Sequence, residues 1–167
     1  MAEQADQDHL FIAALADGTE ESIDAWIASG PGAVRRLHAE LSGENRVDFP
    51  EGVHPRDFLD NLIWACHRLG AAYPEEFLEM FQSPEWSTNP FVISGLGGTS
   101  MPQATRRLMR LMGDEDEWVR VNAAVALRGH QHHGLRSVLL TALDDSSHLV
   151  RYHAGERLRE LDDPSDL

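Results

Sequence analysis

A chain of 167 residues with a formal net charge of −14 is long enough for one domain with a continuous core. Its 28 acidic residues outnumber 14 basic ones, all arginine, which argues against binding phosphate backbones or anionic membrane surfaces. One cysteine rules out an internal disulfide, and no apolar run approaches the roughly 18 residues that span a bilayer.

The acidic, polar start of the chain lacks the cationic and apolar order of a signal peptide, so a cytoplasmic protein is expected. Residues 1–8 read as a disordered tail and residues 9–167 as a single all-α domain. His9 to Leu15 is a short helical run stopped by Asp17-Gly18. Thr19 is placed to cap the next helix, with Glu20 and Glu21 at its positive end and Ile23, Trp26 and Ile27 as its apolar stripe. Gly30-Pro31 ends that helix and opens another, which turns Val34, Leu37 and Leu41 inward and Arg35, Arg36, His38 and Glu40 mostly outward.

Gly43 to His54 carries no periodicity and reads as a long inter-helix loop. The longest helix follows, Arg56 to Leu69, with Leu59, Leu62, Ile63, Cys66 and Leu69 on one apolar face, widened by Phe58 and Trp64. Cys66 on that face is expected to be buried and inert. Tyr73 to Phe81 is a short helix with an acidic start, and Asn89-Pro90 caps and opens the helix that reaches Gly97. Gly95-Leu-Gly-Gly98 lacks the length and the lysine of a phosphate loop, and helix termination accounts for it. Ser100-Met-Pro102 then starts a helix bearing Leu108, Leu111 and Met112.

From Pro102 to Leu161 one pattern is written twice. Trp118-Val-Arg-Val-Asn-Ala-Ala-Val-Ala-Leu-Arg128 returns as Leu149-Val-Arg-Tyr-His-Ala-Gly-Glu-Arg-Leu-Arg159, an offset of 31 residues (149 − 118). Leu96 falls under Leu127 and Leu158 at the same spacing and marks a degenerate earlier copy. A period near thirty residues with no convincing strand signifies stacked helical hairpins, an α-solenoid.

The run from Gly95 through Leu108, Asp114, Val119-Arg120 and Ala123 to Leu127 resembles the HEAT repeat, and within it the short HEAT-like form named after phycobilisome lyases. The resemblance covers about residues 90–161, with degenerate hairpins over 9–83. It implies a superhelical scaffold for binding other proteins. It also implies that Asp114, Arg120, Asp145 and Arg151 form a structural ladder of charge-assisted hydrogen bonds between successive hairpins.

A helical wheel with Ala123 facing the core puts Val119, Ala126 and Leu127 inward and Trp118, Val121 and Val125 on the opposite side. The first copy is thus apolar nearly all round. In the second copy the outward positions are Leu149, Tyr152, Glu156 and Arg159, which suits a solvated end cap.

The signatures of chemistry are weak. His130-Gln-His-His133 has neighbours in His148 and His153, but no cysteine or His-Glu-x-x-His motif joins them, and imidazoles on a turn are usually solvated. The adjacent His-Glu pairs of HEAT-like di-iron hydroxylases are missing, since Ala154 follows His153. HEAT-like DNA glycosylases need a cationic surface that this composition lacks. The expectation is a non-enzymatic scaffold without cofactor or metal, an inhibitor, immunity or adaptor protein for a basic partner. Its candidate binding residues are Trp118, Val121, Asn122, Val125, Tyr152, His153 and Glu156. The alternative is a ligand-binding or enzyme accessory protein whose hairpins enclose a pocket lined by Trp and His.

Overall fold

The computed structural model describes residues 2–43 and 51–162, with side chains from Asp8 onward. Among the described residues it is all-helical: α1 (Ala2–Asp17), α2 (Glu20–Ala28), α3 (Gly32–Leu41), α4 (Pro55–Ala72), α5 (Pro74–Met80), α6 (Pro90–Gly98), α7 (Pro102–Leu111), α8 (Glu117–Ala126), α9 (Leu135–Ala142) and α10 (His148–Asp162). Local chemistry sets the boundaries. Gly18 takes a left-handed φ of 65° after α1, and the Thr19 side chain accepts from Ser22 N at the start of α2. Asn89 accepts from the amides of Phe91 and Val92, and Asp116 from that of Trp118, so α6 and α8 begin on side-chain caps. Proline occupies the first turn of α4, α5, α6 and α7, where its missing N–H costs nothing.

These helices build an α-solenoid. α4, α6, α8 and α10 lie side by side as one layer, while α5, α7 and α9 join them from the other side. The helices α1, α2 and α3 pack against α4 and α5 at the N-terminal end. Three polar ties secure that end to the stack: Asn61 Nδ2 donates to Leu15 O at 3.0 Å, Tyr73 OH to Ile27 O at 2.8 Å, and Arg68 bridges Glu20 and Asp24. The buried apolar side chains form one contiguous cluster from Phe11 to Leu158.

The 31-residue register reaches further back than the sequence pattern. Ser94 Oγ donates to Ile63 O at 2.9 Å across that spacing, and a Cβ built on Gly98 would overlap the His67 carbonyl, again 31 residues away (98 − 67). Gly70 likewise faces the backbone of Gly95, and Gly95 receives the ring of Phe77. The glycine run does close α6, which ends at Gly98, and it does more than that: Gly70 and Gly98 let α4 and α6 pack backbone to backbone.

Other expectations change for comparable reasons. The backbone is helical from Ala2 rather than from His9. Arg36, expected outward, is fully buried: its guanidinium lies 4.2 Å from the Phe11 ring centroid and pairs with Asp8 and Glu40. On α4 the buried stripe is Phe58, Leu62, Ala65, Cys66 and Leu69, because α1 and α6 cover those sides and leave Leu59 and Ile63 exposed. Positions 44–50 of the expected Gly43–His54 loop lie outside the described residues.

Candidate partner-binding face

The orientation of α8 follows from its arginines. Arg120 uses Nε and Nη2 to grip Asp145 at 2.8 and 3.0 Å, and its Nη1 donates to the backbone carbonyls of Asp114 and Glu115. Arg128 reaches Glu160 at 2.8 Å. Arg120 sits on the side of α8 that meets the next hairpin, and Arg128 follows the helix's C-terminal end. The Arg120 guanidinium beside Asp145 holds that carboxyl below the usual carboxylate range. Asp145 also accepts from Ser147 N at 2.8 Å, so one carboxylate locks the inter-hairpin rung and the turn into α10. Arg151 repeats the lower half of this geometry, with Nη1 donating to the carbonyls of Asp145 and Ser146. Asp114 accepts from the amide of Asp116 within its own turn.

Val121 faces the same neighbour. It is only 7% exposed, although the wheel put it with Trp118 and Val125 on the outer side. The wheel gives angles about one helix and carries no account of the adjacent α10, which covers this flank. Trp118 and Val125 are 64% and 43% exposed, so the outer apolar face of α8 is real but narrower than expected. Asn122 is half-buried on the opposite flank, toward α6.

That flank opens into a groove of about 260 Å³ running across α4, α6 and α8. Ile63 and His67 form one wall, Asn122, Val125 and Arg128 the other, and Pro90 and Ser94 the floor. With Leu59 exposed one turn before Ile63, the apolar strip extends over three helices. Sequence reasoning missed Leu59, Ile63 and Ser94 as surface residues; the 31-residue offset from Val125 back to Ser94 and Ile63 was the signal that finds them. Beyond His67 and Arg128 lies a polar cleft of about 450 Å³ lined by Gly98, Ser100 and His130, among others.

The second-copy candidates separate. His153 is half-buried, and its pKa is lowered by burial and by the nearby Arg128. Glu156 is half-buried beside Arg159, and Tyr152 projects from the far end of the stack. The histidine triplet does not act as a unit either. His130 is buried, with Nε2 at 3.1 Å from Gly97 O and Nδ1 at 2.8 Å from Thr105 Oγ1. Since a carbonyl only accepts, Nε2 carries the proton and Nδ1 accepts from the threonine hydroxyl. Arg157 donates to the His130 carbonyl, joining this turn to α10. His132 and His133 stack on each other instead, with ring centroids 4.2 Å apart.

No enclosed tryptophan site forms among the described residues. Trp26 packs edge-on to Phe11, Trp86 against His38 and Phe81, Trp64 lies under Arg68, and Trp118 is in solvent. Among the described residues no group of three or more His, Cys, Asp or Glu side chains is arranged to hold a metal ion. No helix among them is long and apolar enough to cross a membrane.

The family model described as HEAT repeats matches residues 74–159. No curated protein and no solved structure matches the chain.

Proposed function

The chain belongs to the HEAT-repeat family, whose members commonly serve as scaffolds for protein interaction, and from that premise we propose a non-enzymatic cytoplasmic scaffold that binds a basic protein segment across α4, α6 and α8. The observation that carries the reading is the open groove edged by Ile63 and Val125, with Trp118 standing exposed beside it. Exposed aromatic and aliphatic anchors around a shallow groove are the usual energetic centre of a protein interface. The charge supports a basic occupant: Glu115, Asp116 and Glu117 surround the base of Trp118, within a chain carrying −14 overall. Such a field raises the association rate of cationic partners and rejects acidic ones. An inhibitor, immunity or adaptor role would each use the face in this way.

The test is affinity capture on the immobilised chain, with binding then measured on the purified pair. Trp118→Ala is expected to leave the unfolding midpoint within about 0.5 kcal/mol of the parent, since the side chain is mostly in solvent. It should weaken the complex on the order of tenfold or more, and Ile63→Asp should do the same. Partner recovery unchanged by both substitutions would place binding elsewhere.

A further inference from the structure

The two ends of α8 carry opposite charge. Asp116 caps its start, with Glu115 and Glu117 on either side, whereas Arg128 follows its close. At the Arg128 end the groove over α4, α6 and α8 runs into the polar cleft of about 450 Å³, and His67 and Arg128 line both spaces. Two turns build the cleft: Thr99 and Ser100 follow α6, and Gly129, His130 and Gln131 follow α8. Among the described residues no Asp or Glu lines it, in a chain whose acidic residues outnumber its arginines 28 to 14.

The lining is rich in unused donors. Glu160 takes Arg128 through Nε and Nη2, and among the described residues Nη1 has no acceptor. The exposed side chains of His67, Ser100 and Gln131 likewise have no hydrogen-bond partner among the described residues. His130 closes the inner wall with both ring nitrogens engaged, on Gly97 O and Thr105 Oγ1. The field there is positive, since after burial itself the charges of Arg157 and His67 lower the His130 pKa. A recess of this size with a guanidinium, an imidazole, a hydroxyl and an amide, and no acid among them, suits a carboxylate.

A basic segment carries one carboxylate without any acidic side chain, and that is its chain end. We infer that, with the groove as the partner-binding face, the cleft receives the C-terminal carboxylate of the bound segment, whose basic residues lie over the acidic start of α8. Ten residues separate Trp118 from Arg128 (128 − 118), about 15 Å along a helix, which about four or five extended residues span. The partner is therefore a protein tail that ends in apolar residues behind a basic pair.

The test follows backbone amide shifts of the full chain against defined probes. Acetate, which offers a carboxylate and nothing for the groove, is expected to shift the amides of Ser100, Gly129 and Gln131. The peptide acetyl-Arg-Arg-Ala-Ala-Leu-Leu should shift these together with the groove amides of Ile63 and Val125. Its C-terminal amide should bind on the order of tenfold more weakly, having lost a charge-assisted hydrogen bond. Arg128→Gln is expected to bring acid and amide to equal affinity, whereas Arg110→Gln, outside the cleft, should keep the preference. Cleft amides unmoved by acetate, or equal affinity of the two peptide forms at the groove, would overturn the carboxylate seat and leave the groove standing. Acetate shifts in the cleft with no groove shifts from either peptide would overturn the groove reading, and the shared occupant with it. An amidated peptide with Asp in place of its first Leu, binding as tightly as the free acid, would overturn the choice of a chain end. Acetate shifts that appear only after Asp163→Asn and Asp166→Asn would give the cleft to the chain's own carboxylates and overturn the choice of a partner.

Discussion

Arg120 and Arg151 occupy the same place in consecutive copies and make the same bonds to turn carbonyls, yet only Arg120 spans two hairpins. Its rung is mostly shielded from solvent, with both side chains 12% exposed. Arg120→Ala leaves Asp145 half-buried without its partner and is expected to cost about 1.5–3 kcal/mol in urea unfolding. Arg151→Ala, which removes only exposed bonds, should cost under about 1 kcal/mol. Equal losses would mean that the rung adds nothing to the stack. His130 offers a pH-dependent counterpart. Burial, together with the neighbouring Arg157 and His67, lowers its pKa, so the folded protein favours the neutral ring between Thr105 and Gly97. The unfolded chain therefore binds the extra proton first as the pH falls. Stability contributed by the neutral ring is present above the unfolded histidine value of about 6.5 and is lost as pH drops below it. Unfolding midpoints from pH 7.5 to 5 should show this slope, and His130→Gln should reduce it; an unaltered slope would assign it to other groups, His153 among them.

At the scale of elements, the tightest joint is the seam between α4 and α6. Gly98→Ala would drive a methyl group into the His67 carbonyl, backbone against backbone, where neither side can rotate away. The expected loss is about 1–3 kcal/mol or more. Gly113→Ala, whose added Cβ meets only an ordinary contact 3.6 Å from Arg110 O, should stay within about 0.5 kcal/mol. Matching effects at the two sites would contradict a close-packed seam. This joint also shows where the sequence was legible. Caps at Thr19, Asn89 and Asp116, the apolar stripe of Ile23, Trp26 and Ile27, and the repeat itself are local signals, and the helices follow them. Gly95 and Gly98 have no such signal. Their role depends on which backbone lies opposite, and a glycine that ends a helix is spelled like one that admits a neighbour.

The same division holds for the whole molecule. A 31-residue period fixes which helices repeat, and so the solenoid was open to reading from identities at that spacing, whereas the Arg120–Asp145 rung was expected only from the resemblance to the HEAT repeat. Exposure was not open to reading, because it depends on what sits beside each helix. Val121 is lost from the outer face to α10, Arg36 disappears beneath α1, and Leu59 and Ile63 appear at the surface because the stack covers the other sides of α4. What emerges is an acidic HEAT-repeat stack with an apolar strip displayed over α4, α6 and α8. The central claim concerns that strip. Amide hydrogen exchange of the chain with and without its purified basic partner tests it most directly. The account predicts that binding protects segments 59–67 and 117–126 together, and that the protection weakens as salt screens the acidic turn at Asp114 to Glu117. Protection confined to α1, α2 and α3, with α4 and α8 exchanging as in the free protein, would contradict it.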